Sequence, residues 1–294
     1  MADTIRRVPE LPDLAILADA FAAALGGRPV TSLRIVDALV LRATPDQAAS
    51  LVGEVIQGVG RRGKHLVFRL ERHDVWVAPM LSGRFGLVAP GAARPRAAIA
   101  IRFGPGPAPR RAPAAWVAGA SWLPETSAEV ELRYVDPTRM GKIYLAPAAD
   151  PSGVPGIAEL GPDADDPALS LEVWQSRIRR HPGELKGLLR NQAFVAGIGN
   201  AYSDEILWEA RLSPFRRRST LASEETAALF AATKSTLAAA IALLRGRVPP
   251  TFEKQVRDHL QVHLRGGRPC PRCGTPISQV GGREATSFCR SCQR

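Results

Sequence analysis

Four cysteines lie in one short stretch: Cys270-x2-Cys273, fifteen residues, then Cys289-x2-Cys292. Two such knuckles supply four thiolates, a closed tetrahedral shell suited to one structural zinc at about 2.3 Å per Zn–S bond. A catalytic zinc needs an open position, which four thiolates do not leave. The clustering also argues against a disulfide framework spread over the fold. Arg265, Arg268, Arg272, Arg283, Arg290 and Arg294 crowd the same stretch. A zinc hairpin that presents arginine to phosphate is a nucleic-acid device, although small ribbons need solubilising charge in any case. A second constellation is Gly197-x-Gly199-Asn200, a tight turn between two helical stretches. Exposed amides and the dipole of the second helix make it a natural phosphate seat; the same glycines also suit a plain corner between helices. Lys186 and Arg216-Arg217-Arg218 add charge beside it, whereas Ser203-Asp204-Glu205 reads as a helix start with no chemistry. At the other end, Pro9-Glu10-Leu11-Pro12-Asp13 reads by itself as a turn ahead of a helix.

The elements that must position these residues follow from the rest of the chain. Its 294 residues suggest about two domains, and a hydrophobic content of 45% excludes a wholly disordered chain. Lys+Arg exceed Asp+Glu by 39 − 28, giving +11, which points to a polyanionic partner, nucleic acid before acidic membrane. No targeting or spanning segment and no membrane partner are expected: the longest apolar stretch near the start, Leu14 to Leu25, is short and interrupted by Asp19. A cytoplasmic chain is therefore expected. Leu14, Leu17, Phe21 and Leu25 recur at helical spacing, with Asp13 as the expected cap and Gly26-Gly27 as the stop. Short runs rich in Val, Ile and Leu follow, separated by Gly, Pro and charge, the pattern of a β-sandwich or barrel. Residues 146–170 are rich in Pro, Gly and Asp and read as a linker. Helical stretches then run from Leu171 to Arg180, Glu184 to Gln192, Ala201 to Arg211 and Ser223 to Leu244.

The set "PELPD", "RRGKHLVF", "GRFG", "LKGLLRNQAFVAGIGNAYSDEIL" and the terminal cysteine module resembles the formamidopyrimidine-DNA glycosylase and endonuclease VIII family. The motifs fall in the family's order from Pro9 almost to the end, with a poor match over 95–128. The resemblance implies an α+β chain with two main domains. Residues 9–145 would be an N-terminal β-sandwich domain with an N-terminal helix, and 146–170 a linker. Residues 171–262 would be a helix-two-turn-helix domain and 263–294 a zinc-ribbon finger. It implies a base-excision-repair glycosylase and abasic-site lyase, a hydrolase and lyase acting as a monomer on double-stranded DNA that holds damaged bases or abasic sites. The family's nucleophile, an amino-terminal proline, has its place at Pro9. An α-amino group titrates near ~8, against ~10.4 for lysine, so much of it is neutral at working pH. Glu10 matches the carboxylate that moves protons at the sugar and leaving base. Lys64 matches the lysine that holds phosphate and assists β-elimination, and Arg283 the finger arginine tied to δ-elimination. Asn200 matches the phosphate-binding asparagine, and Lys186 is taken with it as a DNA contact. Arg139 lies where an arginine of the void-filling loop would be, with Leu81 and Met140 as apolar wedges for the base stack; for both wedges an ordinary core position is the competing reading.

The chain departs from the family at several points. Pro9 follows "MADTIRRV", so as written its nitrogen is a tertiary amide. The reading adopted is that Val8 marks a GUG start codon, with residues 1–8 an extension or misassigned start. The alternative is a genuine extension on a catalytically inactive binder of damaged DNA, or an enzyme using Ala2 or a lysine. Thr138 stands where an arginine that reads the opposite cytosine is usual. "GGREATSFC" has one residue more than the commonest spacing, and Gly246 to His263 looks short for a lesion-capping loop. Together these tilt toward an endonuclease VIII-like or atypical member. A zinc-ribbon RNA-binding or translation-associated protein would explain charge and cysteines but not these motifs in this order.

Overall fold

The computed structural model describes residues 8–92, 97–107, 121–282 and 284–294. The chain divides into two compact units. One takes the chain up to Ala158 together with Ile241–Val256; the other takes Glu159–Ala240 with Arg257–Arg294.

The first unit opens with α1 (Leu11–Leu25). Its N-cap is Glu10, with Pro12 in the first turn, where a missing N–H costs nothing. Asp13, expected as the cap, sits one turn in and accepts the Glu10 backbone N–H at 2.8 Å. The strands are β1 (Val30–Ile35), β2 (Leu41–Arg42), β3 (Gly58–Arg62), β4 (His65–Arg69), β5 (His73–Ala78), β6 (Arg84–Val88), β7 (Ile99–Phe103), β8 (Val130–Val135) and β9 (Lys142–Pro147), with a short helix α2 (Pro45–Ala49) between β2 and β3. They form a four-stranded sheet β1-β7-β8-β6 and a five-stranded sheet β2-β9-β5-β4-β3, antiparallel throughout except for β2 beside β9. The period of two is visible in β8, where Val130, Leu132 and Tyr134 enter the core. Its other face buries Glu131, paired with Arg102 at 2.9 Å and Arg133 at 2.6 Å. Burial pushes the Glu131 carboxyl up, but those two guanidinium groups outweigh it and hold it below its usual range.

Phe21 of α1 is the centre of the aromatic core, 6.1 Å from Phe68, 5.6 Å from Phe85 and 5.1 Å from Phe252 between ring centroids. Phe252 also meets Trp122 at 5.4 Å. These contacts explain why residues 241–256 leave the span 171–262, expected as one domain, and join the first unit: Leu244, Val248 and Phe252 are buried in its core.

The second unit holds α3 (Leu171–Arg180), α4 (Leu185–Arg190), α5 (Asn200–Glu209) and most of α6 (Ser223–Arg245), then the hairpin β10 (Ser278–Val280) and β11 (Thr286–Phe288). Trp174 and Phe194 pack edge to face at 4.8 Å. Helix α6 is long and apolar enough to cross a membrane. Yet Leu229, Ala232, Thr233, Leu237, Ala240 and Leu244 are buried at helical spacing while alanines between them face outward, as expected of a helix lying on a core. The segment 146–170 contains the boundary between the units: Val154 and Ile157 are buried before it, Ala164 and Leu169 after it.

Candidate functional site

The N-terminal residues are held by the start of α1. Pro9 is buried and Glu10 is 3% exposed. Pro9 lines a small pocket with Asp13, Arg84, Phe252, Lys254 and Gln255. Arg84 donates to Gln255 Oε1 at 3.1 Å, and Gln255 Nε2 is buried without a partner among the described residues. The sequence reading singled out neither Lys254 nor Gln255. Lys64 stands half-exposed in the two-residue turn of the β3–β4 hairpin, which Arg62 and His65 close. Gly63 there has φ +53°, a left-handed position that favours glycine and fixes the tight turn carrying Lys64.

Two further loops of the first unit carry the expected wedges. Leu81 is half-buried in the β5–β6 loop, and Met140 is 43% exposed in the β8–β9 loop. Arg139 is exposed and paired with Asp37 at 2.6 Å. Thr138, expected to replace a base-reading arginine, places its hydroxyl 2.6 Å from that of Ser82 and 3.1 Å from Asp136.

In the second unit, α4, a turn and α5 form the expected helical pair. Gly197 has φ +100°, and Gln192 fastens the turn: it accepts the Gly197 N–H at 2.9 Å and donates to Ile198 O at 2.8 Å. Asn200 begins α5; its Nδ2 donates to Ala285 O at 3.2 Å, while its Oδ1 is buried with no partner among the described residues. Lys186 requires a correction. It was expected to meet phosphate, but it is 6% exposed and its Nζ donates to Asp204 Oδ1 at 2.6 Å and Ala285 O at 3.3 Å. A lysine buried this deeply persists by pairing, and its charge is spent inside.

Asp204 and Glu205, to which the sequence reading gave no chemistry, are the hubs of this unit. Asp204 Oδ2 accepts from His263 Nδ1 at 2.8 Å and from the Ser287 N–H at 3.2 Å. Glu205 accepts the backbone N–H groups of Gln261, Val262 and His263 at 2.7, 2.9 and 2.8 Å. Burial pushes the Glu205 carboxyl up, opposed by those three donors. The signal available in the sequence was two adjacent carboxylates running into the apolar Ile206-Leu207 of a helix, an uncommon place for solvated charge. Glu205→Ala removes the buried acceptor of three N–H groups, and the one on buried Val262 alone costs about 1–3 kcal/mol when left unpaired. It is expected to destabilise this unit by several kcal/mol in thermal unfolding; a loss under about 1 kcal/mol would contradict the hub.

Cys270, Cys273, Cys289 and Cys292 bring their four Sγ atoms within 4.8 Å of one another. A tetrahedral thiolate site with ~2.3 Å bonds has edges near ~3.8 Å. The observed separations of 3.9 Å for Cys270–Cys292 and 3.4 Å for Cys273–Cys289 bracket that value, so the donor set fits one metal ion. Helix α5 grips the first knuckle: Trp208 Nε1 donates to Cys270 Sγ at 3.4 Å, and the Arg272 guanidinium stacks 4.0 Å above the Trp208 ring. Arg283 lies outside the described residues, as do residues 1–7 of the extension.

Known proteins resemble this chain along most of its length. The family described as "Formamidopyrimidine-DNA glycosylase N-terminal domain" matches residues 8–143, and "Formamidopyrimidine-DNA glycosylase H2TH domain" matches residues 160–249. A formamidopyrimidine-DNA glycosylase of Moorella thermoacetica is 32% identical over 93% of this chain and 94% of its own length. One from Symbiobacterium thermophilum is 31% identical over 97% and 89%. The Lactococcus lactis Fpg solved with DNA containing an abasic site superposes with a TM-score of 0.80, covering 97% of this chain and 99% of that one at 24% identity, a likeness of fold. These relatives lie on the formamidopyrimidine side of the resemblance and not on the endonuclease VIII side toward which the departures from the family pattern pointed.

Proposed function

Because the chain belongs to the formamidopyrimidine-DNA glycosylase family, we propose that it acts as a base-excision-repair DNA glycosylase and abasic-site lyase on double-stranded DNA. The observation that carries this reading is similarity at 32% identity over nearly the whole length of both chains.

In the proposed mechanism, the nitrogen of an amino-terminal Pro9 attacks C1′ of the damaged nucleotide as the bond to the base breaks. The base leaves with a proton and the amine loses its own; the C1′–O4′ bond then breaks, O4′ takes up a proton as the sugar ring opens, and the nitrogen is left as an iminium that carries positive charge without needing protonation. That cation draws electrons from the C2′–H bond, a base removes the proton, and the 3′ phosphate departs; a second elimination releases the 5′ phosphate. Glu10, buried beside Pro9 in sequence, is the proposed proton carrier. Lys64 and Arg283 are assigned to the phosphates, Arg139, Leu81 and Met140 to the gap left in the stack, and Asn200 to a phosphate at the start of α5. One zinc held by the four cysteines is proposed as structural, since a closed thiolate shell offers no reactive position. The proposed location is the cytoplasm.

The direct test is incubation of the protein with duplexes containing one formamidopyrimidine lesion or one abasic site. Release of the free base, and a strand gap bearing phosphate at both ends, are expected. Tight binding of both duplexes with neither product would favour the inactive damage-binding relative.

A further inference from the structure

We propose that Asp136 clamps the β5–β6 and β8–β9 loops of the first unit into one preorganised wedge, which enters duplex DNA as a single body. This rests on the functional reading above, in which the tips of those loops meet the base stack.

The loops are far apart in sequence, yet one carboxylate serves both. Asp136 is 4% exposed. Its Oδ1 accepts from the Ser82 hydroxyl of the first loop and from the Thr138 N–H of its own at 3.3 Å. Its Oδ2 accepts the Gly141 N–H at 2.6 Å. Ser82 and Thr138 also bond each other across the gap, hydroxyl to hydroxyl at 2.6 Å and Thr138 N–H to Ser82 Oγ at 3.2 Å. A carboxylate that merely capped its own turn would need Thr138 and Gly141 but not Ser82. The cross-loop bonds mark a second role.

The clamp is rooted in the core. Tyr134 packs 5.3 Å from Phe85, and its hydroxyl lies against Gly83 of one loop and Gly141 of the other. A Cβ at either glycine would land on that hydroxyl, so both glycines are needed for the loops to close on the tyrosine. Above the clamp the tips are strained. Met80 (φ 52°) and Arg139 (φ 57°) are left-handed without being glycine, a conformation that persists only when its surroundings dictate it. Met80 and Met140 stay substantially exposed, at 37% and 43%. Apolar tips held stiffly by polar roots suit unstacking bases, since ordering loose tips on contact would subtract from binding. Thr138 thus serves the clamp, and reading of the opposite base falls to other groups.

The clamp acts on the stack of a duplex, and a single strand has no such stack. This gives a readout that a merely structural role would not move. Asp136→Asn keeps the shape but removes the charge and one acceptor; Ser82→Ala, the gentler variant, removes only the cross-loop bonds. Both are expected to lose about tenfold or more in kcat/KM on an abasic duplex, the scale of lost hydrogen bonds to a buried charge, while cleavage of an abasic single strand stays within about twofold. A fluorescent adenine analogue opposite an uncleavable abasic site should brighten on binding of the unaltered protein and less with either variant. Equal losses on both substrates, or no loss in either variant, would overturn the proposal alone. An unaltered protein that neither cleaves DNA nor changes the probe would overturn the functional reading, and the clamp's role with it.

Discussion

A chain that begins at Pro9 is expected to form a covalent adduct when borohydride is added during its reaction with an abasic duplex, and a chain that keeps residues 1–8 is not. The difference turns on one nitrogen. In the longer form it is a tertiary amide, its lone pair delocalised into the carbonyl of Val8, with nothing left to attack a sugar carbon. Removal of a covalent nucleophile costs on the order of 10³-fold or more in rate, so trapping should separate the two forms without ambiguity. Both forms should bind the duplex, because the groups assigned to phosphate and stack lie elsewhere. Intact mass of the protein purified untagged from its own host then tells which form the cell makes. Equal trapping of the two forms would exclude Pro9 and turn attention to a side-chain amine, with Lys254 in the Pro9 pocket the first to replace.

Where local chemistry sets the structure, the sequence was legible. The spacing of the cysteines announced a closed four-thiolate site, and the four Sγ atoms cluster as that spacing requires. Apolar periodicity placed the helices α1, α3, α4, α5 and α6 within a few residues of their ends, since 3.6-residue repeats and flanking Gly, Pro and Ser survive without tertiary information. Pairings over long sequence separations were not legible. Lys186 reads as surface charge because a lysine in a basic chain normally is; only the fold brings Asp204 within 2.6 Å of it. Residues 246–263 read as a shortened loop because length alone does not reveal that Val248 and Phe252 enter an aromatic core. Ser82, Asp136 and Thr138 are ordinary turn residues in sequence, and their joint role exists only once two loops meet.

Metal removal should have the other large effect, and it should be confined to one unit. Several hydrogen bonds tie the finger to α5 and the turn after it: Arg272 to the Trp208 carbonyl at 2.7 Å, Gln293 to the Leu212 carbonyl at 3.0 Å, and the Ser213 N–H to the Arg294 carbonyl at 2.9 Å. Each is worth about 1 kcal/mol net. A structural zinc contributes on the order of 10 kcal/mol in fingers of this kind, so it outweighs the bonds around it. Without metal, four cysteine side chains within 4.8 Å of one another have nothing to hold them together, and the hairpin that ends in Phe288 and Cys289 should loosen. The disturbance has a defined route to Asn200, the residue assigned above to a phosphate. Ala285 O is the acceptor shared by Asn200 and Lys186, so a displaced hairpin frees the Asn200 side chain and exposes the Lys186–Asp204 pair. Chelation, or Cys273→Ser, is therefore expected to abolish specific DNA binding while the β-sheet unit keeps its own unfolding transition. Faster hydrogen exchange should appear in β11 and the first turn of α5 and leave α1 unchanged. Full affinity in protein shown by metal analysis to be zinc-free would refute the structural role assigned to the four cysteines.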